Sequence, residues 1–133
     1  MKILLYSGLF LLILFPELCG QHFIGLSKEE ATLAARKNGF YRDDMTVAQK
    51  FNYLKFVNSA NTKTLIIFFS DEDLAMHTRT VCDYSEYDFL LKDFGSNYKK
   101  VSQNTWEYQH GNEKFEVTIE EKEWYFVVRT KKK

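Results

Sequence analysis

The chain has 133 residues, of which 45% are hydrophobic and 17% aromatic, and its 18 basic and 18 acidic residues give a formal net charge of zero. This apolar and aromatic content excludes a disordered or low-complexity chain. A neutral total provides no field that concentrates phosphate groups, so the composition does not favour a nucleic-acid-binding protein.

The first twenty residues have the features of a secretory signal peptide. Lys2 precedes an apolar run over residues 3–15, and Pro16 then interrupts the run. The run is shorter than the ~20 residues that a membrane-spanning helix needs, and the small residue Gly20 suits a cleavage site. We therefore expect cleavage after Gly20, export to the periplasm or the medium, and one mature domain over residues 21–133 with no integral membrane segment.

The sequence contains two cysteines, Cys19 and Cys82. If Cys19 leaves with the signal peptide, the domain has no internal disulfide and its fold depends on the hydrophobic core. The alternative is that Cys19 is lipidated and anchors an envelope lipoprotein. Pro16 and Leu18 stand where a lipoprotein signal has an aliphatic and a small residue, so cleavage after Gly20 is the preferred interpretation.

The mature chain opens with a predicted helix. Ser27 and Glu30 form a capping box, in which each side chain accepts a hydrogen bond from the backbone amide of the other residue. The helix is predicted to end near Asn38, with Gly39 in the left-handed conformation that often follows a helix. Its buried stripe consists of small residues, namely Ala31, Ala34 and Ala35.

A three-stranded meander is predicted to follow this helix, over Phe51–Asn58, Lys63–Ser70 and Ala75–Asp83. The middle strand is apolar at every position from Leu65 to Phe69, which predicts a central strand covered on both faces. Met45, Ala48 and Phe51 also fall at helical spacing, so residues 45–57 remain open between strand and helix.

The second half repeats this plan. Ser85 and Asp88 are predicted to cap a second helix, whose apolar face has helical spacing: Tyr87, Leu90, Leu91, Phe94 and Tyr98. Three more strands are predicted, over Val101–His110, Glu113–Glu121 and Trp124–Thr130.

Turn signals set the pairing of these last strands. Gly111-Asn112 suits a two-residue hairpin turn, which places Tyr108 opposite Phe115. A turn centred on Lys122-Glu123 pairs Ile119 with Phe126 in the same way. The predicted core face then contains Trp106, Tyr108, Phe115, Val117, Ile119, Phe126 and Val128.

The predicted fold class is α+β, with two helices packed on a mainly antiparallel sheet in the order α-βββ-α-βββ. The similar order of the two halves suggests a degenerate internal duplication.

The segment Ile24-Gly25-Leu26-Ser27-Lys28-Glu29-Glu30, followed by a helix that ends at Gly39 and by meandering strands, resembles the start of small exported bacterial domains. These are domains of the β-lactamase-inhibitor-protein-like type and outer-membrane assembly lipoproteins of the SmpA/OmlA kind. The resemblance implies an exported α+β domain and identifies no functional residue.

No compact catalytic or metal-binding pattern is present. His22, His77 and His110 lack metal-ligand spacing, so no metal site and no cofactor is expected, and His22 and His110 are predicted to be surface residues. A small hydrolase with a dispersed site built from His77, Asp83 or Cys82 is the enzymatic alternative. Side chains alternate along a strand, however, which places Cys82 on the face opposite His77 and predicts a buried thiol.

The predicted binding surface is the polar face of the second-half sheet, where Tyr and Arg are common interface anchors. Its candidate residues are Glu107, Glu116, Tyr125, Val127 and Arg129. The sequence therefore favours a non-catalytic exported module that binds a protein partner, which the sequence does not name. The alternative is that this face is merely the solvated side of the sheet.

Overall fold

The computed structural model describes residues 22–43 and 52–133 of the chain. The predicted signal peptide, Cys19 and residues 44–51 lie outside these ranges. The described residues form two helices and one eight-stranded antiparallel sheet, which confirms the α+β class. The elements are α1 (Lys28–Lys37), β1 (Phe40–Arg42), β2 (Tyr53–Asn58), β3 (Lys63–Phe69), β4 (Ala75–Cys82), a 3₁₀ turn (Tyr84–Glu86), α2 (Tyr87–Asn97), β5 (Lys99–Ser102), β6 (Thr105–His110), β7 (Glu113–Glu121) and β8 (Phe126–Lys132).

Helix α1 begins and ends as the sequence predicts. The Ser27 hydroxyl accepts a hydrogen bond from the Glu30 amide, and the Glu30 carboxylate accepts one from the Ser27 amide. Gly39 follows the helix with a φ of 84°, in the left-handed region that glycine adopts without strain. Ala31 and Ala35 are fully buried, and Ala34 packs against the same core, so the backbone of α1 lies close to the sheet.

The second helix is capped differently from the prediction. Asp83, rather than Ser85, provides the capping side chain, and its carboxylate accepts a hydrogen bond from the Ser85 amide. A 3₁₀ turn intervenes, and α2 begins at Tyr87 with no side-chain cap of its own. The predicted Ser85-Asp88 capping box is therefore wrong. The Asp83 carboxylate, two residues before Ser85, already accepts the hydrogen bond of the Ser85 amide.

The strands follow the order β1-β2-β3-β4-β8-β7-β6-β5 across the sheet. Each half is an antiparallel meander, and the halves join where β4 pairs with β8. The described residues form four strands per half rather than the predicted three. The short edge strand β1 was not anticipated, and the predicted strand Val101–His110 divides into β5 and β6, because the polar residues between Ser102 and Thr105 form a turn.

The register of the last two hairpins is confirmed in one case and wrong in the other. Tyr108 lies opposite Phe115 across the turn at Gly111, as predicted. Ile119 lies opposite Val128 and not Phe126, because residues 122–125 form a longer turn closed by a hydrogen bond from the Lys122 amide to the Tyr125 carbonyl. A shift of two residues keeps every side chain on its predicted face.

Both helices pack on the same face of the sheet. One cluster joins α1 to β2, β3 and β4 through residues such as Phe56 and Ile67, and a second joins α2 to β6, β7 and β8 through Phe94 and Phe126. The two clusters lie on one side because Leu65, Thr80 and Val128 form a single row across the sheet, through β3, β4 and β8. No helix among the described residues covers the opposite side.

Candidate binding surface

The side of the sheet opposite the helices is called the open face here. It is formed by the strand residues that alternate with the core positions: Tyr41, Tyr53, Lys55, Val57, Thr64, Ile66, Phe68, His77, Arg79, Val81, Lys99, Thr105, Glu107, Gln109, Lys114, Glu116, Thr118, Glu120, Val127, Arg129 and Lys131. Its character changes across the sheet, from apolar on β2 and β3, through basic on β4 and β8, to acidic on β7 and β6.

The apolar part of the open face is centred on Phe68. The Tyr53 ring lies beside it with a centroid distance of 6.0 Å, and the His77 ring stacks on it at 4.5 Å. Ile66 lies on the same strand two residues away. Both Ile66 and Phe68 are half-buried, so the expectation that β3 is covered on both faces is wrong. The apolar run of β3 instead supplies an aromatic and aliphatic surface to the open face.

The basic part, called the basic stripe, consists of His77, Arg79, Arg129 and Lys131. Register places His77 opposite Lys131 and Arg79 opposite Arg129 at the junction of β4 and β8. The Arg79 guanidinium lies 5.7 Å from the Phe68 ring centroid, and its Nε is inaccessible and has no hydrogen-bond partner among the described residues. An unpaired buried donor costs about 1–3 kcal/mol, and like charges directly opposite each other in a sheet add to that cost.

Burial lowers the pKa of His77, and the positive charges of Arg79 and Arg129 act in the same direction. A neutral imidazole therefore stacks on Phe68 beside the two arginines at neutral pH.

The acidic part contains two of the predicted site residues, Glu107 and Glu116, which lie directly opposite each other on β6 and β7. Glu107 forms an ion pair with Lys133, and Glu116 lies opposite Lys131 of the basic stripe. Arg129 donates a hydrogen bond of 2.9 Å from Nη2 to the carboxylate of Glu120. Lys122 lies 3.6 Å from the same carboxylate, and these partners lower the Glu120 pKa, with the Arg129 hydrogen bond the largest cause.

The other two predicted site residues differ from the prediction in separate ways, Tyr125 in its position and Val127 in its exposure. Tyr125 lies in the turn before β8 and is exposed, so it does not belong to the strand. Val127 points toward the open face, but only 4% of it is accessible to solvent. Of the five candidates, Arg129 alone belongs to the basic stripe. The acidic pair lies beside the stripe, and Tyr125 lies at the end of the sheet.

The residues of the enzymatic alternative are not brought together. His77 lies on the open face, Cys82 is buried on the helix side, and Asp83 caps the turn after β4. Burial raises the pKa of the Cys82 thiol to about 12, which opposes formation of the thiolate nucleophile. Cys82 borders a cavity of about 40 Å³ between the sheet and α2, which contributes Leu90 and Phe94 to its lining. This volume is far smaller than the ~300–1,000 Å³ of most ligand pockets.

His22 is not the surface residue that the sequence predicts. Its Nδ1 lies 2.7 Å from the Tyr108 hydroxyl, and its ring stacks on His110 with a centroid distance of 4.0 Å. Burial, with a smaller contribution from His110, lowers the His22 pKa to about 4. The pair borders a cleft of about 270 Å³ beside β6.

The described ranges, 22–43 and 52–133, contain no group of three or more His, Cys, Asp or Glu side chains placed to hold a metal ion. Neither helix there has the length and apolar character required to cross a membrane.

The aromatic and arginine centre of the open face, namely Tyr53, Phe68 and Arg79, is not among the residues predicted from the sequence. A local signal for it exists, because His77 and Arg79 alternate along a strand that follows the apolar strand β3. The pairing of β4 with β8, which brings Arg79 to Arg129, joins distant parts of the chain and has no local signature.

No protein-family model, no curated protein and no solved structure matches this chain.

Proposed function

We propose that the protein is a non-catalytic, exported binding module that holds a protein partner on the open face of its sheet. The observation that supports this role most strongly is the basic stripe, where Arg79 and Arg129 lie opposite each other beside the exposed edge of an aromatic cluster. A fold gains no stability from this arrangement. Destabilising arrangements of this kind are often retained at functional sites.

The composition of the open face suits recognition of a protein. Arginine, tyrosine and phenylalanine supply much of the binding energy at protein interfaces, and Arg79, Tyr53 and Phe68 lie together here. A sheet face of this width also offers one continuous surface, since all eight strands are hydrogen-bonded neighbours.

A pair of double variants tests this role. Phe68→Thr with Lys131→Glu changes the open face, and Leu33→Thr with Lys92→Glu is the matched control on the helix side, where Leu33 is 58% exposed. The wild type and the two double variants are each used to capture and cross-link partners from the organism that makes the protein. We expect the wild type and the control to retain the same partner and the open-face variant to lose it. Retention by both variants would contradict the proposed surface.

Export is a separate part of the proposal, supported by the charged, apolar and small-residue order of the first twenty residues. The mass of the protein recovered outside the cytoplasm should correspond to a chain that begins at Gln21. A lipid-modified Cys19 at the N-terminus would instead show that the protein is an anchored lipoprotein.

We also propose that the two halves arose by duplication. Each half is a helix followed by a four-stranded meander, and β4 and β8, the last strands of the halves, pair antiparallel at the centre of the sheet. A duplication predicts that a fragment with the second half alone, residues 83–133, forms a symmetric dimer in which β8 pairs with β8. A folded monomer or an unfolded fragment would contradict it.

A further inference from the structure

We propose that the centre of the open face recognises a carboxylate within an otherwise apolar segment of the partner, and that Arg79 and Arg129 hold this carboxylate. This inference rests on the proposed binding role. The site would take an aspartate or glutamate side chain and pack its aromatic or aliphatic neighbours against Phe68 and Ile66.

The Arg79 guanidinium has no negatively charged partner among the described residues. None of them forms an ion pair with it, and its buried Nε has no hydrogen-bond acceptor. The contact with the Phe68 ring does not neutralise the charge. Because Nε is inaccessible, an incoming carboxylate would pair with the terminal Nη groups, where it would supply the missing negative charge and accept hydrogen bonds in the geometry that arginine favours.

Arg129 is placed to share a ligand with Arg79. Directly opposite residues of an antiparallel pair have Cα atoms only about 4.5–5.5 Å apart, so Arg79 and Arg129 are close enough to share one anionic group. Arg129 donates to Glu120 through Nη2, which fixes its side chain from the β7 side. Its other donors remain for a ligand that approaches from β4.

The strands on either side of the two arginines restrict the kind of anion that can bind there. Apolar residues of β3 lie on one side and acidic residues of β7 on the other, so the basic stripe is only two strands wide. Glu116 and Glu120 would repel the successive phosphates of a nucleic acid or an anionic membrane surface, and the chain has no net positive charge to offset this. A single carboxylate with apolar neighbours matches this pattern of charge.

Selection from a random heptapeptide library on the immobilised full-length protein tests the proposal. We expect enrichment of peptides with an aspartate or glutamate next to an aromatic or aliphatic residue. In titrations with one selected peptide, Arg79→Gln and Arg129→Gln should each weaken binding about tenfold or more, as loss of a hydrogen bond to a charged group does. Arg36→Gln, on the exposed end of α1, is the matched control and should bind as the wild type does.

A double-mutant cycle then assigns the contact. Changing the acidic residue of the peptide to its amide should weaken binding to the wild type by a similar factor and have little effect on binding to Arg79→Gln. Arg79→Met, which keeps packing against Phe68 and removes the donors, should behave like Arg79→Gln. Urea midpoints at or above that of the wild type show that the fold is intact, because each substitution at residue 79 removes the unpaired buried Nε donor.

The outcomes separate the two proposals. If no peptide is enriched although the open-face variant loses the captured partner, only the carboxylate site is wrong, whereas retention of the partner by that variant means that both proposals are wrong. If peptides bind the open face without acidic residues, or bind Arg79→Gln equally well, only the carboxylate site is wrong. Tighter binding to a single-stranded DNA or to phosphatidylglycerol vesicles, or a dimer that the peptides do not dissociate, would also overturn it.

Discussion

Burial determines the reactivity of the one cysteine in the described ranges. Cys82 is 1% exposed and its pKa is raised to about 12, mainly by desolvation. A thiol must be both accessible and ionised to react with an alkylating reagent. The side chain is therefore a small apolar core residue, as its place on the helix-facing side of β4 predicts.

We expect iodoacetamide at neutral pH to leave native Cys82 unmodified and to modify it fully in concentrated urea. Mass spectrometry of the protein after timed exposure provides the measurement. Rapid alkylation of the native protein would show that β4 opens at this end, and would contradict a buried thiol.

His22 makes the folded protein sensitive to mild acid. Its pKa falls from 6.5 to about 4 on folding, so between these values the unfolded chain takes up a proton that the folded chain does not. The contribution of His22 to stability is thus intact above about pH 6.5 and is lost as the pH falls toward 4.

The urea midpoint should fall more between pH 7 and pH 5 in the wild type than in a His22→Phe variant. Phenylalanine keeps a ring against His110 and Phe115 but does not titrate. The pKa of His77 on the open face is also lowered, so the pH dependence of a His77→Phe variant is measured for comparison. Parallel pH dependences in the wild type and His22→Phe would show that His22 is not the group responsible.

At the level of the elements, similar sequence patterns lead to different caps. Ser27 caps α1 through its hydroxyl, whereas Ser85 contributes only its amide to a cap made by Asp83. Ser27→Ala and Asp83→Ala should each lower the free energy of unfolding by about 1 kcal/mol, and Ser85→Ala should change it by less than about 0.5 kcal/mol.

Urea unfolding monitored by circular dichroism measures these three differences. A larger loss from Ser85→Ala than from Asp83→Ala would place the cap at Ser85 and contradict the structure at the start of α2.

Features with a local cause were predictable from the sequence, and features set by distant pairing were not. The Ser27 cap, the apolar face of α2 and the hairpin at Gly111 depend on residues within a few positions of one another. Edge strand β1 exists only because β2 offers it a partner. The centre of the candidate site likewise depends on the pairing of Arg79 with Arg129 across the junction of the two halves.

At the level of the whole molecule, neutrality conceals a separation of charge. Basic residues line β4 and β8, and acidic residues line β7 and β6, on one face of one sheet. The overall balance limits long-range repulsion within the fold, while the stripe presents a local positive field to a ligand.

Salt should therefore weaken binding without unfolding the protein. Raising the salt concentration from about 50 mM to about 500 mM shortens the screening length, so the affinity for an acidic peptide should fall several-fold while the thermal midpoint remains nearly constant. Binding that is insensitive to salt would indicate that apolar contacts alone hold the peptide.

The contacts of residues 22 and 133 bring the two ends of the described chain to the same strand. The His22 ring is hydrogen-bonded to the Tyr108 hydroxyl. The Lys133 ammonium forms an ion pair with Glu107, which precedes Tyr108 in β6. Tyr108 faces the helices and Glu107 the open face, so a linker from residue 133 to residue 22 that passes from one face to the other should close the chain into a ring. New termini could then be opened at the turn between β2 and β3, which would give a circularly permuted protein whose open face carries no fusion or tag.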